Sequence, residues 1–181
     1  MILDHLSYRA LQWLVFLFLV LHNLEEGVTA RAYFPKIKTL LAGLAPPGLL
    51  VSLPTLKQFY IALIGGTIFP LLIIAIAATG RPSRIKVYLV AVVQAMLLVN
   101  VFVPHVPAAI ALGGYAPGVV TATLVNLPFS IYFFQRSLRE SQITWKGLAL
   151  AMAIALPSLL LSIRLLYALG GSIAGQGSRG E

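Results

Sequence analysis

The chain has 181 residues, of which 59% are hydrophobic and only 10% charged, and it contains no cysteine. Soluble domains carry about a quarter charged residues, so this composition excludes one and points to a single polytopic membrane bundle. The net charge of +8 falls in short clusters between apolar runs, as membrane-flanking anchors do, which argues against a nucleic-acid partner. Without cysteine, disulfides, thiolate metal sites and cysteine nucleophiles are all excluded.

Spanning the hydrocarbon core takes about 20 mostly apolar residues. Taken in chain order, the segments that meet this test are Ser7–Ala30, Leu56–Thr79, Ile85–Ile110, Gly118–Gln135 and Trp145–Leu169. The expected fold is therefore an all-α bundle of five spans, one domain over residues 1–169. The first run ends in His-Asn-Leu-Glu-Glu rather than a small-residue cleavage site, so it reads as a retained helix. Between the first two spans, Tyr33–Pro54 is apolar but holds four prolines and two glycines. It is expected to form an interfacial or re-entrant segment. Pro104 and Pro128 are expected to kink the third and fourth spans. The Gly- and Ser-rich stretch 170–181 reads as a disordered tail.

Five spans put the termini on opposite faces. The loops holding Arg81, Arg84 and Lys86, and Arg136, Arg139 and Lys146, lie on the same face as Arg9, here called face A. The positive-inside rule makes face A cytoplasmic, in a bacterial inner membrane. The first span then carries His22, Glu25 and Glu26 toward face B. The third brings Asn100 and His105 there, and the fifth brings Arg164 and Tyr167. The fourth takes Asn126 about 12 Å down from Gly118. Polar side chains from four spans thus meet in one layer near face B.

Carboxylates inside a bilayer are costly and mark function by default. At helical spacing His22 faces Glu25 and Glu26. Imidazole and carboxylate are ligands for zinc, iron or manganese, so His22, His105 and Glu26 are the candidate metal ligands. Glu25 is then the candidate general base. Asn100 and Asn126 are candidates for polarising a carbonyl or holding an oxyanion. Arg31, Tyr115, Thr121 and Arg164 complete the expected substrate-binding set.

His22-Asn23-Leu24-Glu25-Glu26 resembles the signature of the HXXEE-domain family of integral membrane proteins. The run from Tyr115 through Pro117, Gly118, Thr121 and Asn126 to Pro128 is also similar to that family, as is the pair Asn100 and His105. The resemblance covers the chain from about Leu11 to about Leu169. It implies a bundle of this size in which His22, Glu25, Glu26, Asn100, His105 and Asn126 form an enzyme-like site. Tyr115, Pro117, Gly118 and Thr121 would shape the turn into the fourth helix. The expected function is a membrane-embedded, metal-dependent hydrolase of a lipid or other amphiphile. A metal-free acid–base lipid isomerase and a small proton or divalent-cation carrier are the alternatives.

Overall fold

The computed structural model describes residues 2–44, 54–81 and 83–176. Among these residues all regular structure is helical. A short 3-10 helix, Ile2–His5, precedes five rods. These are α1 Tyr8–Leu44, α2 Leu56–Ala78, α3 Arg84–Ala111, α4 over residues 119–139, and α5 Trp145–Gln176. Four of them, α1, α2, α3 and α5, are long and apolar enough to cross a membrane. The fourth expected span, α4, is less apolar because it is the inner helix. Its buried residues include Ser130, Arg136 and Ser137 beside Phe129, Phe133 and Phe134.

Two expectations from prolines are met. In α3 the segment Val101–His105, which contains Pro104 and leaves helical geometry at Val103, kinks the helix between Arg84–Asn100 and Val106–Ala111. In α4 a π-helical turn, Ala122–Asn126, sits between Val119–Thr121 and Leu127–Arg139, directly before Pro128. Such bulges form where a ladder bond is lost, and they re-aim neighbouring side chains. Elsewhere the helices start on side-chain caps. Thr55 and Gln58 form a reciprocal capping box on α2, and the Ser83 hydroxyl accepts from Lys86 N–H on α3.

Two expectations change. The segment beginning at Tyr33 does not leave the first helix: α1 runs unbroken to Leu44 through Pro35. One proline in a long helix removes a single donor, which such helices tolerate. The remainder of that segment, 45–53, lies outside the described residues. At the other end α5 continues past Leu169 to Gln176, and the rest of the expected tail lies outside the described residues. Here Gly170 is buried rather than flexible, because it seats α5 against α2.

The packing differs from that of a soluble bundle in being apolar on the outside as well as in the core. On α1 one stripe, Leu11, Val15, Leu19, His22 and Ala30, is buried, and it follows the 3.6-residue period of a helix face. On α2 the residues Ile64, Ile68, Leu72 and Ile76, four apart, are exposed, as expected of a stripe turned to lipid. At the face A end, Tyr8 and Ser137 hydroxyls hydrogen-bond at 2.9 Å. Arg136 donates to the Leu6 carbonyl, to Tyr132 and to Glu140. These bonds fix the start of α1 against the end of α4, which sets the depth of everything further along α1.

The closest approach of α2 and α5 generates a test. A Cβ on Gly170 would stand 3.1 Å from the Gln58 carbonyl oxygen and 3.2 Å from its Cα. Backbone cannot move aside as a side chain can, so Gly170→Leu is expected to cost about 1–3 kcal/mol. The check is a fall in thermal midpoint in detergent, with Ile173→Ala, an exposed position on the same helix, showing little change.

Candidate functional site

The buried stripe of α1 delivers His22 inward, and Glu26 follows one turn later. The kink of α3 presents His105 to the same point. The two imidazole rings meet edge to face, with centroids 4.6 Å apart. Glu26 Oε1 lies 3.8 Å from His22 Nε2 and 3.4 Å from His105 Nε2. One ligand atom from each of the three residues falls within 4.8 Å of the others. Both histidines are almost wholly buried, at 1% and 3% exposure.

Hydrogen bonding to the far side of each ring fixes its tautomer. His105 Nδ1–H donates to the Pro117 carbonyl at 2.9 Å. The Thr121 hydroxyl has one proton and donates it to Glu25 Oε2 at 2.6 Å, so it accepts from His22 Nδ1–H at 3.0 Å. Both Nε2 atoms are then left with lone pairs turned inward. The Asn100 amide nitrogen stands between them, 3.1 Å from His22 Nε2 and 2.9 Å from His105 Nε2, and its two protons serve one each. Histidines held by Nδ1 with convergent Nε2 lone pairs are arranged as metal ligands are.

Glu25 does something different from its neighbour. Its carboxylate accepts from the Tyr115 hydroxyl at 2.9 Å, Val120 N–H at 3.2 Å, and Thr121 N–H and hydroxyl at 2.7 and 2.6 Å. Gly118, the residue before α4, has no side chain to cap that helix. Glu25 supplies the missing acceptor from another helix, where a negative charge is favoured by the exposed N–H groups. The expected base is therefore engaged in holding α4.

Gly118 itself was expected only to shape a turn, and its role is tighter. It has φ +82°, and a Cβ there would stand 2.7 Å from His105 Cε1, 2.8 Å from Glu26 Cγ and 2.8 Å from His22 Cε1. All three candidate ligands lean on this one backbone position.

The cluster closes one end of a cavity of about 700 Å³ between α1, α2, α3 and α5. His22, Asn23, Glu26, Asn100 and Tyr167 are at its polar end, and the remaining wall is almost entirely apolar. The other expected site residues lie off this cavity. Tyr115 and Thr121, expected to touch substrate, turn their hydroxyls to Glu25 instead. Arg31 and Arg164 are exposed on the outer surface. Asn126 is buried behind the site, its Oδ1 without a partner and its carbonyl accepting from Ser130. Tyr167, expected at this depth, does line the cavity, and so does Asn23, whose amide donates to Thr67 at 2.7 Å and which was absent from the expected set. The helix face of Asn23 was the signal that could have placed it there.

Gly118→Ala tests this geometry. The left-handed backbone alone costs an alanine about 1–2 kcal/mol, and the methyl would also push into three ligand side chains. The expected outcome is a fall in thermal midpoint in detergent clearly larger than that of Gly113→Ala, which has φ +78° but open space around it.

Comparison with known proteins places the motif in a family. The profile of a family described as "Protein of unknown function with HXXEE motif" matches residues 13–133. That stretch includes the histidines, both glutamates, Asn100 and the Gly118 turn. An uncharacterized protein, YrkK, of Bacillus subtilis (strain 168) is 28% identical over 78 residues, covering 43% of this chain and 49% of that protein. The chain thus spans about half the length of that relative. No solved structure matches. With its motif at His22, Glu25 and Glu26, the chain belongs to the HXXEE family.

Proposed function

We propose that the protein is a membrane-embedded, metal-dependent enzyme, a hydrolase of a lipid or similar amphiphile, with His22, His105 and Glu26 as metal ligands. The observation that carries this reading is the convergence of two Nε2 lone pairs and one carboxylate oxygen at the polar end of an apolar cavity. Two imidazoles and a carboxylate suit zinc, iron or manganese, and a three-residue set leaves a position open. A bound divalent ion of this kind acidifies water and polarises a carbonyl oxygen.

The chain's own groups supply the rest. Once the Nε2 atoms are engaged elsewhere, the two N–H groups of Asn100 are released beside the cavity, where a substrate oxygen would accept them. Glu25 works through Thr121, fixing His22 and the start of α4 rather than meeting substrate. Asn126 is a packing residue on this reading. With the basic loops of face A taken as cytoplasmic, the site would face the outer side of a bacterial inner membrane. A carrier is less well supported, since the cavity toward face A is walled by residues such as Leu89, Val92, Phe69 and Ile73. Besides these, among the described residues only the hydroxyls of Ser158 and Ser162 offer an ion side-chain oxygen along the cavity wall below the cluster.

The test is metal content of detergent-purified protein. Wild type is expected to hold about one zinc, iron or manganese per chain, and His22→Ala, His105→Ala and Glu26→Gln to lose it. Folded wild type without metal would overturn the reading and favour metal-free acid–base chemistry. Glu25→Gln separates ligand from support: it is expected to retain the metal with affinity weakened about 10–100-fold, read by chelator competition.

A further inference from the structure

The cavity has a direction. Its polar groups sit at one end, and along α3 its wall is formed by Leu89, Val92, Val93, Met96, Leu97 and Asn100. From Leu89 to Asn100 is about 16 Å at 1.5 Å per residue. That is close to half of a hydrocarbon core about 30 Å thick, the length available to one lipid tail. At Leu89 the main cavity adjoins another. Leu89 and Val92 also line a second apolar cavity of about 210 Å³ with Tyr88, Gly147 and Ala151, between α3 and α5. A Cβ on Gly147 would stand 2.3 Å from the Tyr88 ring, so glycine lets the two helices frame this groove. Phe69, Leu89, Leu165 and Leu169 line the main cavity and are also 44–60% exposed on the outer surface. The cavity therefore opens sideways, onto the surface that faces lipid.

We propose that this cavity binds a single-chain amphiphile, of the fatty acyl or isoprenoid class. Its polar head lies at His22, Glu26 and Asn100, and its tail runs along α3 to leave at Leu89 through the groove beside Gly147. The identity of the head as a reacting group rests on the enzyme reading above; the tail site stands on the cavity alone. A single chain is proposed because the polar groups of the cavity gather at one end of an elongated apolar wall, and its volume lies within the range of about 300–1,000 Å³ for small-molecule sites. The open foot has a consequence for specificity. Chains longer than the channel are accepted, since their ends pass into the bilayer.

The experiment uses the full chain in dioleoylphosphatidylcholine nanodiscs with two palmitate probes, one carrying a photoreactive diazirine near the carboxyl group and the other at the methyl end. The first is expected to label peptides containing His22, Asn100 or Tyr167, and the second those containing Leu89, Gly147 or Ala151. Met96→Trp, which fills the channel midway, is expected to reduce both by about tenfold while metal content stays at the wild-type level. Gly66→Leu, from the facing wall, is expected to do the same. Labelling by both probes on outward residues such as Ile68, Ile76 and Leu161, or labelling unchanged in both variants, would overturn the proposal. So would suppression by the two-chain nanodisc lipid, seen as no channel labelling at any probe concentration. Metal-free protein that shows the expected pattern upholds the tail site and defeats only the metal reading. Metal-loaded protein labelled only outside defeats only the tail site.

Discussion

The bond network on Glu25 is the constraint from which the rest of the site follows. A helix that begins on glycine has exposed N–H groups and no acceptor of its own, and in a bilayer no water arrives to serve them. The carboxylate of Glu25 reaches across from α1 and accepts from Val120 and Thr121. An intramembrane charge and an uncapped helix would each be costly alone; together they satisfy one another. In settling that cost the pair also fixes the separation of α1 from the Pro117–Gly118 turn. With that turn in place the Pro117 carbonyl meets His105 and the Thr121 hydroxyl meets His22. The adjacent glutamates thus divide their work: Glu25 builds the frame, and Glu26 is left facing the cavity.

Much of this was legible in the sequence. The pairing of His22 with Glu26 needs only helical spacing, and the arrival of Asn100 and His105 at the same depth needs only the count of spans. Both prolines marked real interruptions. What the sequence hid depends on contact between distant segments. Nothing local to Glu25 distinguishes a base from a capping group, because the N–H groups it serves lie 95 and 96 residues away. Nothing local to Gly118 shows that three side chains crowd its missing Cβ. Tyr115 and Thr121 carry hydroxyls suited to a substrate, and only the fold shows that Glu25 takes them.

The misread helix ends have a common cause. Proline and glycine were weighed by their effect on an isolated helix, where each is disruptive. Pro35 lies in a helix long enough to absorb one lost bond. Gly170 and Gly171 lie where α5 presses on Gln58 of α2, and smallness there permits close packing, as it does commonly between membrane helices. The same residue type serves as linker in water and as contact surface in a bundle.

The uninterrupted length of α1 has a mechanical consequence. At 1.5 Å per residue its 37 residues make a rod about 55 Å long, well beyond a hydrocarbon core about 30 Å thick. One end is anchored at face A against α4, and the turns beyond Arg31, with Lys36 and Lys38, extend past the bundle's apolar layer. His22 and Glu26 sit partway along this lever. The rod is braced twice, against α4 at its start and through the Glu25 bonds beside the site, so its far turns project from a fixed base.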